Sequence, residues 1–353
     1  MVEKATECTS QPRKHNFYPS SSQALGCDTF LYIKQYPQVY YGHAKNGCPV
    51  FYSKPALLNI QAVECLTSLK NLVNFHWNAM MHEFVRKLDD QYKLSNETFK
   101  RYECVCILDL KHLTAAQLSK RPLKLIKDQT EIDSLCFPET LNHMSIVNAP
   151  AFFTLTWKLI RGWIDQRTAD KVSVIGTNKE GLLKHLTKHI VVNSLASDYG
   201  GNGKSVNEVL RDDMIHQFLS STSESTTEDA LRVEDKDTYL MSMRSGKSSE
   251  YTVSVKEGQL VKISLFTRSL LGGNLTIEDE KGNALPNIPE GGICINHKGE
   301  SEDDENELPT KYELEDSHGI TLKGPATYKV QITSNSRKWK YTTHILLATT
   351  VFS

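Results

Sequence analysis

The sequence predicts two units, an α/β domain with a mixed, largely parallel sheet and an all-β sandwich after it. Between residues 30 and 217, strand-like and helix-like segments alternate, which is typical of parallel βαβ units. From residue 236, short segments alternate polar with apolar residues between turns, which is typical of an antiparallel sandwich. The Ser/Thr/Glu-rich run FLSSTSESTTEDALR predicts a linker over 218–235.

The elements of the first domain follow from periodicity. Apolar and β-branched runs predict strands at 48–52, 105–110, 144–147 and 172–175. Helical spacing predicts helices near 61–89, 114–127, 149–165 and 179–189. Residues 1–29 are polar and contain Pro and Ser, and they predict a disordered tail. The domain proper is therefore expected over 30–217.

The sandwich is expected over 236–353. Its strands are predicted at 251–257, 260–267, 274–280, 327–333 and 340–349, with glycine-containing turns between them. An acidic insert covers 297–316, and it is either a solvated loop or a binding segment.

The predicted helix at 149–165 has an unusually wide apolar face. Asn148 and Pro150 are helix-start signals. At about 100° per residue, the apolar side chains cover about 200° of the circumference. These side chains are Phe152, Phe153, Leu155, Trp157, Leu159, Ile160, Trp163 and Ile164. Such a helix either belongs to an ordinary core or covers an apolar ligand.

Several classes of function are not supported by the sequence. The run DYGGNGKS lacks a P-loop because Asp198 occupies the position of its first glycine. His185 and His189 are four residues apart, but no third ligand or HExxH glutamate accompanies them, so we interpret them as a helix-surface pair. Neither a GxSxG nor a GxGxxG motif is present. We therefore expect a protein that is not an enzyme and has no metal or cofactor.

Composition predicts a cytoplasmic protein. No run of 18 apolar residues is present, and the first residues lack the apolar stretch of a secretory signal. The 8 cysteines are scattered without metal-ligand spacing and are expected to be reduced thiols.

Charge is divided unevenly along the chain. Residues 1–222 contain 26 Lys and Arg against 21 Asp and Glu, and residues 223–353 contain 15 against 21. Either the bias is accidental, or the basic part faces anionic lipid while the acidic part faces away or binds a partner.

Four ordered motifs resemble the CRAL-TRIO lipid-transfer family. They are YPQVYYGHAKNGCPVFY from Tyr36, CVCILDLKHLT from Cys104, the run from Phe137 to Gly176 (FPETL, IVNAPAFF, WKLI, WIDQRT and KVSVIG), and SLASDYGG from Ser194. The resemblance implies an apolar lipid cavity covered by the helix at 149–165 as a gate, with Phe51 in the cavity. We therefore expect Phe152 and Phe153 to insert into membranes.

The same resemblance implies a headgroup site. The family's inositol site maps onto Glu139, Thr168 and Lys171. In its phosphatidylcholine site, Tyr41 and Thr114 retain hydroxyls, whereas Phe51 and Ala116 replace the other two. Losing two hydroxyls removes hydrogen bonds that each contribute about 1 kcal/mol, which favours inositol lipids over choline lipids. Family members normally carry an N-terminal three-helix bundle that contributes basic residues to this site, and only about 35 residues precede Tyr36 here.

The second unit resembles the GOLD domain that follows a CRAL-TRIO domain in supernatant-protein-factor-like and patellin-like proteins. The resemblance rests on EYTVSVKEGQLVKISLFT and YKVQITSNSRKWKYTTHILL.

Together the two resemblances imply a cytoplasmic lipid carrier, peripheral on membranes, that binds phosphatidylinositol and transfers it. The alternatives are a lipid-regulated adaptor that acts through the GOLD-like domain, or a carrier of a sterol- or tocopherol-like ligand. Nucleic acid is not an expected partner. A fragment that ends near Thr222 is expected to bind lipid and anionic vesicles alone.

Overall fold

A computed structural model describes residues 2–95, 102–213, 233–286, 288–313, 321–337 and 340–353. The chain divides into two compact units. We call Met1–Thr29, Gln35–Leu58 and Leu69–Ile215 the α/β-unit, and Phe30–Lys34, Asn59–Ser68 and His216–Ser353 the β-unit. Most of the predicted linker, residues 218–232, lies outside the described residues, and residues 233–235 begin the first strand of the β-unit. None of the described helices is long and apolar enough to cross a bilayer.

The α/β-unit contains a mixed five-stranded sheet. β1 (Gln38–His43) pairs antiparallel with β2 (Pro49–Ser53). β3 (Cys104–Asp109), β4 (Leu141–Val147) and β5 (Val172–Val174) then follow in parallel, in the spatial order β1-β2-β3-β4-β5. The predicted largely parallel sheet is confirmed, and β1 is an additional strand that the periodicity did not reveal.

The chain has helices on both faces of this sheet and further helices in the β-unit. In chain order they are α1 (Val2–Lys14), α2 (Ser21–Leu25), α3 (Thr29–Gln35), α4 (Ile60–Leu66), α5 (Leu69–Asn78), α6 (Phe84–Ser95), α7 (Lys120–Cys136), α8 (Phe153–Arg161), α9 (Gln166–Asp170) and α10 (Lys179–His189). A π-helical turn, Ala79–Glu83, joins α5 to α6, and residues 206–213 are also helical. Only the helix at 179–189 has the predicted bounds; the others are shorter, shifted or divided.

The first residues form helices instead of the disordered tail that the sequence predicts. α1 packs against α7, and α2 packs against α5. Ala24 and Leu25 are fully buried, and the side chain of Asn78 donates to the carbonyl oxygen of Tyr18 at 2.6 Å. The local composition is polar, but a few apolar residues pack against helices distant in sequence and order the segment.

The predicted helix at 61–89 is divided at Thr67 and Ser68. Its first part, α4, begins at Asn59, whose side-chain oxygen accepts from the backbone N–H of Ala62 at 3.3 Å. α4 belongs to the β-unit, whereas α5 belongs to the α/β-unit. The expected division into consecutive domains, 30–217 and 236–353, is therefore not the observed one.

The β-unit has two antiparallel sheets. One has the order β10-β9-β13-β7 and the other β11-β8-β14-β6, with β12 paired to β8. The strands are β6 (Val233–Arg244), β7 (Ser248–Val255), β8 (Leu260–Thr267), β9 (Gly273–Glu278), β10 (Ile293–Ile295), β11 (Thr310–Glu313), β12 (Leu322–Lys323), β13 (Ala326–Ser334) and β14 (Thr342–Phe352). Side chains from both sheets share one apolar core, as a sandwich requires. The long strand β6 was not predicted.

α4 covers the outer face of the second sheet of the β-unit, against β14 and β8. Val63, Cys65 and Leu66 are buried there, and the Cys65 thiol donates to the carbonyl oxygen of His344 at 3.6 Å. The guanidinium of Arg268 donates to the carbonyl oxygen of Glu64 at 3.1 Å. This covered face explains why residues 59–68 join the β-unit.

The two faces of the five-stranded sheet have separate apolar clusters. Because successive strand residues point to opposite faces, Ile107 and Val147 contact Leu182 and Leu186 of α10 on one face. Ile146 contacts Phe153 of α8 on the other. We refer to them as the α10 face and the α8 face.

Candidate functional site

α8 carries apolar side chains on two opposite sides. Phe153 is only 4% exposed and packs in the cluster on the α8 face, where Trp157 also lies. Phe152, Leu155 and Leu159 are 49%, 74% and 50% exposed, and their spacing of i, i+3 and i+7 places them within about 60° of one another. A single amphipathic core helix would not expose this second stripe.

The helix is shorter than the predicted 149–165. It begins at Phe153 and ends at Arg161, with Gly162 as its C-cap, so Trp163 and Ile164 follow it. Ile160 and these two side chains are half-buried. Phe152 and Phe153 were expected to enter membranes together, but only Phe152 is exposed, because adjacent helical residues point about 100° apart.

Phe51 lies on the α8 face. In the sheet register it pairs with Cys106, which pairs with Met144, and Met144 packs against the cluster that contains Phe153. The ring centroid of Phe51 is 4.9 Å from that of Tyr40, a residue that the sequence analysis did not single out. The paired strands β1 and β2 thus contribute aromatic area to this face.

Tyr41 lies on the α10 face instead. It packs against the cluster there, and its hydroxyl accepts from the backbone N–H of Lys204 at 2.9 Å. The structure therefore does not bring Tyr41 together with Phe51, because neighbouring strand residues alternate between faces. Because Tyr40 and Tyr41 are neighbours in a strand, the sequence could have predicted that they lie on opposite faces of the sheet.

Glu139, Thr168 and Lys171 meet at the amino-terminal ends of β4 and β5. The Lys171 ammonium donates to Oε2 of Glu139 at 2.7 Å and to the carbonyl oxygen of Leu141 at 2.8 Å. The Thr168 hydroxyl donates to Asp165 at 2.6 Å, and Asp165 also caps α9. The guanidinium of Arg167 lies 3.5 Å from Glu139 and 3.8 Å from Asp165, so the cluster offers two cations, a hydroxyl and two carboxylates to a polar ligand.

Thr114 is exposed in the loop after β3. Its hydroxyl donates to the side-chain oxygen of Gln117 at 2.6 Å and accepts from the backbone N–H of Ala116 at 3.3 Å. Gln117 in turn donates to the carbonyl oxygen of Leu58 at 3.2 Å. In the described residues Thr114 thus stabilises a turn near the carboxyl ends of the strands, away from the Lys171 cluster at their amino-terminal ends.

A buried polar network that the sequence analysis missed lies at the carboxyl ends of β3 and β4. Asp109 accepts from the side chain of Asn148 at 2.7 Å, from the backbone N–H of Lys111 at 2.9 Å and from the hydroxyl of Tyr199 at 3.3 Å. Burial and the neighbouring carboxylate of Asp109 raise the pKa of Tyr199 well above its ordinary value. The network fixes the loops that precede α8. An aspartate directly at the end of a buried strand is the sequence feature that could have revealed this network.

A second missed contact is the ion pair between Lys54 and Asp198, at 2.6 Å and largely buried. Asp198 also accepts from the backbone N–H of Val206 at 2.8 Å. Although burial alone would raise the pKa of Asp198, the Lys54 ammonium and this N–H hold it below its ordinary value. The contact joins the end of β2 to the segment after α10.

These features define a class: an α/β domain in which a helix with two apolar sides covers one face of a mixed sheet. Residues 33–201 match the family model of the CRAL/TRIO domain. The match supports a CRAL-TRIO domain in this part of the chain.

Similar proteins carry lipid-transfer names. The chain is 26% identical over 199 residues to the phosphatidylinositol/phosphatidylcholine transfer protein SFH9 of Arabidopsis thaliana, covering 56% of this chain and 33% of that protein. It is 24% identical over 263 residues to SFH11 of the same plant, covering 68% and 69%. It is 25% identical over 182 residues to the SEC14 cytosolic factor of Candida glabrata, covering 49% and 56%. The chain spans only 27% of the length of two further plant relatives.

Among solved structures, the crystal structure of Sfh5 aligns with 48% of this chain and 57% of its own, at 16% identity. The TM-score of 0.37 is too low to establish a shared fold.

Proposed function

We propose that this protein binds a single phospholipid between α8 and the α8 face of the sheet and transfers it between membranes. The observation that carries this proposal is the two-sided apolar character of α8. Phe153 and Trp157 point towards the sheet, and Phe152, Leu155 and Leu159 point to the surface. Such a helix can contact a bilayer with its outer stripe while its inner stripe covers a lipid. The relatives named as phosphatidylinositol/phosphatidylcholine transfer proteins support the same function.

The energetic requirement explains why the inner side of α8 must be apolar. Each CH₂ group removed from water contributes about 0.8 kcal/mol, so two acyl chains with about 30 carbons require roughly 20 kcal/mol of apolar burial in the protein. A lipid outside the bilayer must find an equivalent environment, and α8 must move to admit it and then return. This is a binding and exchange process, and we propose no catalytic step for it.

We further propose phosphatidylinositol as the principal ligand, with its headgroup at Glu139, Thr168 and Lys171. The cation suits a phosphate, and the carboxylate and hydroxyl suit inositol hydroxyls. Tyr41 and Thr114 offer weaker support for a choline-lipid site, because the hydroxyl of Tyr41 accepts from Lys204 on the α10 face.

The proposed carrier is cytoplasmic and visits anionic membranes transiently. The β-unit is proposed to be GOLD-like and to contact another protein.

The test is lipid transfer by the full-length protein. Native mass spectrometry identifies any co-purified lipid, and labelled phosphatidylinositol, phosphatidylcholine and cholesterol are then followed from donor to acceptor vesicles. Transfer of phosphatidylinositol above that of the other two is the expected result. If the protein retains one lipid without exchanging it and captures a protein partner only when loaded, the adaptor function replaces transfer. Preferential cholesterol transfer would instead identify a sterol carrier.

A further inference from the structure

Three histidines meet on the α10 face of the sheet, on the side opposite α8. His143 comes from β4, and His185 and His189 come from α10. One ring nitrogen of each can be chosen so that all three atoms lie within 4.8 Å of one another. We call this group the histidine cluster. Sequence spacing reveals only the pair on α10, because the third residue is about 40 positions away.

The local structure of β4 and α10 explains why the three histidines lie close together. His143 shares its side of β4 with Ser145 and Val147, which follow at i+2 and i+4 and face α10. On α10, His185 and His189 continue the stripe of Leu182 and Leu186, which are buried against the sheet. The histidines occupy the end of this contact where burial is only partial. They are therefore held by a packed core and still open to solvent on one side.

The spacing suits a tetrahedral metal ion. Nε2 of His143 lies 3.4 Å from Nε2 of His185. Two nitrogens bound to tetrahedral zinc at about 2.0–2.1 Å lie about 3.3–3.4 Å apart. The ring of His189 stacks on that of His143, with centroids 3.9 Å apart and planes inclined by 10°. One nitrogen of His189 already lies within 4.8 Å of a nitrogen of each of the other two rings.

The protonation state also suits a metal. Burial lowers the pKa of all three imidazoles, with that of His143 falling to about 4. The neutral imidazole is the form that binds a metal. Lys188 and Lys45 add positive charge near His189 and oppose a cation. Ser145 lies with its hydroxyl 3.2 Å from Nε2 of His185, where it can hydrogen bond to a metal-bound water.

We propose that His143, His185 and His189 bind a divalent transition-metal ion, zinc being the reference ion, with water in the fourth position. Three histidines with an open fourth position form a recurring ligand set for zinc. A metal here links β4 to α10 across the face of the sheet that α8 does not cover. It would bind the folded chain alone and stabilise it, independently of any lipid.

The test uses full-length protein after treatment with a chelator. Cobalt(II) is added as a spectroscopic probe, because histidine ligation gives visible d–d bands without the near-ultraviolet thiolate bands that the cysteines would produce. Zinc should displace cobalt and raise the melting temperature. In His185→Gln/His189→Gln, zinc affinity should fall by more than the about 10- to 100-fold that loss of an outer-shell partner costs. His15→Gln, at an exposed histidine outside the cluster, should bind zinc like the wild type.

Two results overturn the proposal. One is a wild-type protein without d–d bands or with thiolate bands only. The other is an unchanged zinc affinity in the double variant, which would mean that the three rings merely pack together. If the double variant does not fold, His143→Gln and the ligand signature of the wild-type cobalt spectrum decide the question.

Discussion

The ammonium of Lys171 lies 2.7 Å from Oε2 of Glu139, so the two charged residues assigned to the headgroup site form an ion pair with each other. The hydrogen bond from Lys171 lowers the pKa of Glu139 and keeps it ionised. An incoming phosphate must therefore compete with a carboxylate for this cation. In the proposed site, headgroup binding is then an exchange of partners: Glu139 loses Lys171, keeps Arg167 at 3.5 Å, and can accept hydrogen bonds from inositol hydroxyls.

Lys171→Ala should weaken phosphatidylinositol binding by about ten- to hundredfold, because a charge-assisted hydrogen bond contributes about 1.5–3 kcal/mol. Cholesterol transfer should be unchanged. Lys179→Ala, at an exposed lysine at the start of α10, is the matched control. Vesicle transfer assays with both lipids measure the difference. Equal losses for the two lipids would place the headgroup elsewhere.

The outer stripe of α8 should control membrane contact. Leu155→Asp places one charge in the stripe, whereas Thr154→Asp places one charge on an exposed neighbour outside it. We expect the first variant to lose vesicle binding and transfer and the second to retain most of both. Flotation with anionic vesicles measures binding, and circular dichroism checks the fold. Similar behaviour of the two variants would show that charge alone, and not the stripe, governs contact.

The two adjacent phenylalanines should differ in their contribution to stability. Phe153→Ala removes a buried ring from the cluster on the α8 face and should reduce the free energy of unfolding by about 3–5 kcal/mol. Phe152→Ala removes an exposed ring and should change it by less than about 0.5 kcal/mol. Denaturant unfolding of both variants tests this. Comparable values would mean that α8 is turned differently from the described orientation.

Asp198→Asn should leave the Lys54 ammonium without its counter-charge in a largely buried position. Such a loss costs about 3–5 kcal/mol. Because the folded pKa of Asp198 is lowered, the carboxylate stabilises the fold above its unfolded pKa, and this contribution disappears as pH falls through the folded value. The difference between wild type and variant, measured by urea unfolding, should therefore be largest near neutral pH and should shrink as the pH is lowered through the acid range. A constant difference would point to lost packing.

Leu66→Ala should reduce the free energy of unfolding of the β-unit by about 2–5 kcal/mol, because Leu66 is buried in the contact of α4 with the second sheet. Gln61→Ala, exposed on the same helix, is the control.

Because α4 packs on the second sheet of the β-unit, a fragment ending near Thr222 should expose the apolar side of α4. We now expect that fragment to bind a dye for apolar surfaces and to aggregate, contrary to the independent binding that the sequence suggested. A monomeric, lipid-binding fragment would restore the earlier expectation.

The elements with strong periodicity were predictable. β2 to β5 and α10 lie within a few residues of their expected positions, because alternating strands and a capped helix are encoded locally. The break at Thr67 and Ser68 was not predictable, because α4 packs against β14 and β8 whereas α5 packs against α2 and α7, and all four partners are distant in sequence. His143 was missed for a related reason: only the sheet register brings it to α10. The roles of Glu139, Thr168 and Lys171 stay predictions, although the three residues lie at the same end of β4 and β5.

The position of α4 has a consequence for biosynthesis. This helix ends at Leu66, but the strand that it contacts begins at Thr342, near the end of the chain. At about 5–20 residues per second, the ribosome needs roughly 15–55 s to deliver that strand after the helix has emerged. During this interval the apolar side of α4 has no sheet to cover it. The nascent chain thus carries one short, defined apolar segment that stays uncovered until the last strand is made, and the β-unit cannot finish folding before translation does.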